Sequence, residues 1–239
     1  MTRFKLSHVS LLIALLWSFS PTPTDAEDKN QARQITLETG EVVDYLIYTP
    51  ESATPLPLLL FLHGGGESGD EIEKVKTHGP PKQIAAGEDY PMIVISPLNP
   101  DQKGFWDEDR LSRFIEAVTK KLDFDRERFY FSGMSRGANG AYRLAMENPE
   151  RFAALLVMCG AAPAPYAGWL GNIPIWIIHG EKYPVIPVAE SVRMEEALAK
   201  GGNDPHLTIH PEAGHDVWTQ TFEDPKTIEW LLTQRKSGL

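Results

Sequence analysis

A single cysteine, Cys159, stands in 239 residues. One thiol closes no intramolecular disulfide and supplies no multi-cysteine zinc site. Positive charge is also sparse: 23 Lys and Arg face 33 Asp and Glu, giving a net charge of −10, and the bases form no run. That balance repels polyphosphate backbones and excludes nucleic acid as an expected partner. Long apolar stretches are missing too. The run Val9 to Trp17 covers nine residues, well under the roughly 20 that a membrane-spanning helix needs. What is there, 42% hydrophobic and 10% aromatic residues with 19 glycines and 19 prolines, describes a globular chain able to bury a large core.

The short apolar run has a different meaning. Arg3 and Lys5 precede it, and Ser18, Phe19, Ser20, two prolines and the small-residue end Thr24-Asp25-Ala26 follow it. Charge, length and cleavage context predict a secretory signal peptide over residues 1–26. The expected organisation is then a signal peptide over 1–26, an N-terminal lead over 27–39 and one domain over 40–239. The exported chain keeps 21 bases against 32 acids, a net charge of −11. It is expected to be secreted or periplasmic, with no membrane contact after signal removal.

Beyond the lead, apolar patterns alternate between two periods. Val42 to Thr49, Leu58 to Leu62, Met92 to Ile95, Arg128 to Ser132, Ala154 to Met158, Ile175 to Ile178 and His206 to Ile209 read as strands. Several are continuous apolar runs, the mark of strands buried on both faces of a parallel sheet. Leu111, Phe114, Ile115, Val118 and Leu122 form one helical stripe, and Ala138 to Met146, Val188 to Lys200 and Thr227 to Gln234 read as further helices. The alternation predicts an α/β fold: a mostly parallel central sheet with helices on both faces. Ligands of such sheets bind at the carboxyl ends of the strands.

At one such end lies Gly133-Met134-Ser135-Arg136-Gly137, a G-x-S-x-G between a strand and a helix. This is the setting of a nucleophile elbow, in which glycines allow a turn too tight for side chains and the serine hydroxyl is presented outward. A serine needs a base to take its proton. His215, directly after the last strand, is the candidate. His63 and His179 each close a strand in a His-Gly pair and are expected to pack and hydrogen-bond. His206 and His210, with His215, are a weaker metal-site alternative. The loop His63-Gly64-Gly65-Gly66-Glu67-Ser68-Gly69 follows an early strand, where an oxyanion donor is expected; Gly65 and the N–H of Arg136 are the candidates. Gly64, Gly66 and Gly69 also fit a dinucleotide fingerprint. The acids Asp70, Glu71 and Glu73 and the stop at Pro80-Pro81 oppose that reading, because acids would sit where a pyrophosphate must.

Taken together, Leu-His-Gly-Gly-Gly-Glu-Ser-Gly-Asp (62–70), His-Gly-Pro-Pro (78–81), Gly-Met-Ser-Arg-Gly (133–137), Ile-His-Gly (178–180) and Pro-Glu-Ala-Gly-His-Asp-Val-Trp (211–218) carry a resemblance. Over residues 40–235 the chain resembles the α/β-hydrolase carboxylesterases of the phospholipase/carboxylesterase or dienelactone-hydrolase-like type. That group includes secreted bacterial members similar to polyhydroxybutyrate depolymerases and feruloyl esterases. The resemblance implies an α/β-hydrolase fold with Ser135 as nucleophile, His215 as base, and Gly65 with Arg136 as oxyanion hole. It implies no cofactor and no metal.

One position departs from the family. Members carry the triad aspartate four residues after the histidine of the second His-Gly pair, and here that residue is Tyr183. Glu181 on the same loop is the nearest substitute, with Glu190 and Asp216 behind it. The expected function is a serine carboxylesterase acting on small-molecule or polymer-linked esters. The alternative is a catalytically weak or inactive hydrolase-fold binding protein. Only 16 residues, Cys159 to Pro174, separate two consecutive strands where a lid would sit, so little or no lid is expected over the cleft. Trp106, Tyr166, Trp169 and Trp218 are candidate walls of that cleft.

Overall fold

In the computed structural model, which describes residues 27–236, the strands are β1 (Gln31–Thr36), β2 (Val42–Tyr48), β3 (Leu58–Leu62), β4 (Ile93–Pro97), β5 (Phe129–Met134), β6 (Ala154–Met158), β7 (Ile175–Gly180) and β8 (His206–His210). They form one sheet in the order β1-β2-β4-β3-β5-β6-β7-β8. β2 runs antiparallel to both β1 and β4, and every pairing from β4 to β8 is parallel. The helices are α1 (Gly79–Ala85), α2 (Glu108–Thr119), α3 (Arg136–Glu147), α4 (Ala189–Lys200), α5 (Trp218–Glu223) and α6 (Pro225–Thr233). The expected signal segment lies outside the described residues.

The continuous apolar runs are strands buried on both faces. In β3 all five residues are buried, Leu58, Leu60 and Leu62 joining one core and Leu59 and Phe61 the other. This is the period-2 alternation of a strand feeding two apolar layers. The first core is closed by α2, α3 and α4, through residues such as Phe114, Tyr142 and Met194. The second is closed by α1, α5 and α6, through Ile84, Phe222 and Leu231.

Three elements differ from expectation. The polar lead contains β1, an edge strand in which Ile35 alone is buried, so its sequence shows no alternation. Pro80-Pro81 open a helix rather than stopping one: they sit in the first turn of α1, where a missing N–H costs nothing. Trp218–Glu223 is helical, with Asp216 accepting from the Thr219 N–H at 3.1 Å.

Candidate active site

β5 ends at Met134, and the next residue, Ser135, adopts φ 53° and ψ −120° and hands the chain to α3. A positive φ is costly for a residue with a Cβ, and here the flanking contacts enforce it. The Ser135 N–H donates to the Met158 carbonyl at 2.8 Å, and the Ser135 carbonyl accepts from Ala138 and Asn139. A Cβ on Gly133 would stand 2.3 Å from the Gly137 carbonyl oxygen, and one on Gly137 would stand 2.2 Å from that of Leu62. Both positions therefore exclude every side chain.

Arg136 is the first residue of α3 and Gly65 the first of a 3-10 turn over Gly65–Glu67. At each, the N–H has no acceptor within its own turn and remains free to bind an anion. The Arg136 guanidinium lies across Gly65, about 2.0 Å from where a Cβ would be, and donates to the carbonyls of Gln102 at 3.1 Å and Gly104 at 2.8 Å. One side chain thus fixes the glycine loop against the loop carrying Phe105.

His215 lies on the loop after β8. That loop is laced to the end of β7: Glu181 N–H donates to the His210 carbonyl at 3.0 Å and Lys182 N–H to that of Ala213 at 3.0 Å. Gly180 is tight against it, with a hypothetical Cβ 2.0 Å from the Gly214 carbonyl oxygen. Ser135, His215, Gly65 and Arg136 all line one cleft of about 630 Å³, together with Phe105, Asn139, Tyr183 and Val185. Burial pushes the His215 pKa down to about 4; Asp216 pulls it up, and His78 and His179 press it down. The imidazole is therefore neutral at pH 7.

Glu181 does not complete a triad. It is exposed and does not line the cleft, and the buried Nδ1 of His215 has no hydrogen-bond partner. The loop that carries Glu181 spends its backbone on the His215 loop, leaving the side chain in solvent. Asp216 accepts from the N–H and the hydroxyl of Thr219, and Glu190 pairs with Arg193. Tyr183, at the position where the resemblance implies the acid, is buried and stacks flat on His215 with ring centroids 3.9 Å apart and planes 9° apart. Burial pushes its phenol pKa up, and a hydrogen bond with the Ser135 side chain pulls it down. Trp218 packs edge-to-face with the same imidazole, with centroids 4.5 Å apart and planes 85° apart.

His63, His78, His179 and His206 have structural partners. His63 Nδ1 meets the Gly64 carbonyl at 2.6 Å while Nε2 accepts from Asn99 N–H at 3.0 Å, and burial lowers its pKa to about 4. His179 uses both ring nitrogens, on Ser191 Oγ at 2.7 Å and the Ile186 carbonyl at 3.0 Å. His206 stacks on Trp176, and no group of three or more potential metal ligands occurs among the described residues. Of the aromatics expected as walls, Trp106 and Trp218 are buried, Trp106 donating to the His63 carbonyl, whereas Tyr166 and Trp169 are exposed. Sequence reasoning missed Glu67. Its buried carboxyl sits 3.5 Å from His78 Nε2 and 3.8 Å from His63 Nδ1, with burial raising its pKa. The acid in the glycine motif was visible in sequence, but nothing there distinguished it from a surface residue.

Residues 90–228 match the phospholipase/carboxylesterase family. A protein named as an esterase, NocK of Nocardia uniformis subsp. tsuyamanensis, is 28% identical over 204 residues, covering 77% of this chain and 58% of the relative. A bifunctional acetylxylan esterase/xylanase of Neocallimastix patriciarum is 26% identical over 156 residues, covering 62% of this chain and 22% of that protein. Among solved structures, a thermostable esterase superposes with TM-score 0.74 at 27% identity, covering 87% of this chain and 64% of that one. The chain therefore spans less than two thirds of the length of each of these proteins. The strand order and this superposition are those of the α/β-hydrolase fold.

Proposed function

This chain belongs to the phospholipase/carboxylesterase family, and on that premise we propose that it is a serine carboxylesterase whose reaction runs through an acyl-enzyme on Ser135. The observation that carries the reading is the convergence of a strained serine, a neutral imidazole and two unpaired N–H groups on one cleft. His215 Nδ1 is buried, which leaves Nε2 to face the cleft and take the Ser135 proton. The Ser135 oxygen then forms a bond to the ester carbonyl carbon. The carbonyl oxygen becomes an oxyanion received by the N–H groups of Gly65 and Arg136 at the tips of their helical turns. Collapse expels the alcohol, which takes the proton from His215, and a water activated by the same imidazole releases the acid.

No carboxylate among the described residues meets the buried Nδ1 of His215, and Asp216 favours the imidazolium only through its charge. The π face of Tyr183 is stacked on the ring that becomes charged. A cation over an aromatic face is stabilised by about 0.5–2 kcal/mol, less than the roughly 10⁴ in rate that a triad aspartate supplies. The reading is of a working but slow esterase. The test is Ser135→Ala: hydrolysis of p-nitrophenyl acetate falls to background while the melting temperature is kept, because only a hydroxyl is removed. Unchanged turnover rejects the assignment.

The unpartnered Nδ1 favours a second reading, a hydrolase-fold protein retained for binding. It predicts no turnover by the natural chain on any short acyl ester. Residues 1–26 support export, with the mature chain starting near Glu27, and no described helix is long and apolar enough to cross a membrane. N-terminal sequencing of the native protein tests this.

A further inference from the structure

Outside the cleft the chain exposes two large aromatic rings side by side. Tyr166 and Trp169 stack with centroids 4.7 Å apart and planes 31° apart, and are 48% and 61% exposed. They are mounted rigidly: both lie on the 3-10 turn Ala164–Leu170, whose Ala167 and Leu170 are buried in the core. Asn203 holds the end of that turn through the carbonyls of Gly171 at 2.7 Å and Ile173 at 3.0 Å. Leaving two such rings in water forgoes burial that the fold could have used, and a pre-ordered aromatic face loses little entropy when a ligand lies on it.

The pair stands over a second depression of about 430 Å³, lined also by Asn139, Arg143 and Glu147 of α3 and by Glu108. Asn139 lines the Ser135 cleft as well, so the two openings share a wall. Asn139, Arg143 and Glu147 are spaced by four residues on one face of the helix that starts at the nucleophile. At about 1.5 Å per residue, Arg143 lies roughly 12 Å along the axis from Ser135. The path thus carries an amide, a guanidinium held by Glu108 at 2.5 Å and a carboxylate beside it, and ends at the aromatic pair.

We propose that this path is a subsite for a neutral oligosaccharide, and that the ester cleaved at Ser135 is an acyl group carried on a polysaccharide. The inference rests on the esterase reading and names its substrate class. Sugar rings present C–H edges that fit the electron-rich face of Trp169 or Tyr166, and their hydroxyls both donate and accept, as the alternating Asn139, Arg143 and Glu147 require. A polyanion is opposed by Glu108, Glu147 and the net charge of −10. A polyester lacks hydroxyl donors for those carboxylates.

The experiment is titration of the full chain with xylohexaose and cellohexaose, followed by tryptophan fluorescence. Saturable binding of at least one hexaose is expected, weakened at least about tenfold, or 1.4 kcal/mol, in Trp169→Ala and Tyr166→Ala. On the unsubstituted chain the bound hexaose shields Trp169 from N-bromosuccinimide oxidation, read by peptide mass spectrometry, so the outcome does not depend on the variants folding. No binding at millimolar hexaose, binding that leaves Trp169 unshielded, or binding of a 3-hydroxybutyrate trimer in its place overturns the proposal. Covalent labelling of Ser135 by a fluorophosphonate reports separately on the esterase reading. Labelling without sugar binding rejects the subsite and leaves the esterase reading, and sugar binding without labelling keeps the subsite but rejects the esterase reading and with it the acylated-polysaccharide substrate.

Discussion

Tyr183 lies flat on His215, with 3.9 Å between ring centroids and 9° between planes, so that it covers the imidazole face and leaves the Nδ1 edge without a partner. If the ring stabilises the imidazolium, Tyr183→Leu removes roughly 0.5–2 kcal/mol from the barrier-lowering, about two- to thirty-fold in kcat. Steady-state kinetics on p-nitrophenyl acetate checks this, and unchanged kcat contradicts it.

Tyr183→Asp replaces the π face by a charge. The shorter side chain uncovers the ring and offers an acceptor to Nδ1–H, so kcat rises, by up to about the 10⁴ a triad acid is worth. The added negative charge also raises the His215 pKa. A variant that folds but gains less than about threefold shows that position 183 does not aim at Nδ1, since threefold is only about 0.7 kcal/mol.

An unusual acid limb is expected of the natural chain on the proposed mechanism. His215 must be unprotonated to accept the Ser135 proton, and burial sets its pKa at about 4 rather than the ordinary 6.5. Activity therefore persists as pH falls through 6.5 and is lost only on approaching 4. In Tyr183→Asp the limb moves toward neutrality. A kcat/KM profile from pH 3.5 to 8 reads both, and a natural-chain limb near 6.5 contradicts the site description.

Much of this arrangement is written in the sequence, and the exceptions have physical causes. Ser135 was legible because Gly133 and Gly137 each abut a backbone carbonyl, a constraint that no other residue satisfies. The inner strands were legible because burial on both faces leaves unbroken apolar runs such as Leu58–Leu62. β1 was not, because an edge strand with Ile35 alone inward carries no period. The departure from the family pattern was legible at Tyr183. Which groups would replace the expected acid depended on where two loops place side chains, and Glu181 was put outside the cleft by the backbone pairing of its loop with His210.

Gly65, the proposed oxyanion glycine, responds differently from the glycines of the elbow. Gly65→Ala meets only the Arg136 guanidinium, a side chain that can move, so the protein folds while the N–H at 65 and the 102–104 loop lose their registration. A fall of about 10²–10³ in kcat with a preserved melting temperature is expected. Gly137→Ala meets backbone of β3 and unfolds the protein or lowers its melting point sharply. Circular dichroism melts alongside kinetics separate the two.

Stability falls with acidity for a related reason. His63 is buried, hydrogen-bonded as the neutral ring, and has a pKa of about 4. The unfolded chain takes up a proton near pH 6.5 that the folded chain refuses, so stability is full above about 6.5 and is lost progressively toward pH 4. The loss amounts to about 3 kcal/mol from this residue. Urea unfolding at pH 7 and pH 4.5 measures it, and equal stabilities at the two values contradict the buried neutral ring.

The most direct measurement of the central claim is stoichiometric titration of the purified chain with a fluorophosphonate, read by intact mass and by peptide mapping. The account predicts one adduct per chain, on Ser135, formed more slowly than in a complete triad and faster in Tyr183→Asp. Absence of any adduct at high reagent, or an adduct on a residue other than Ser135, contradicts it.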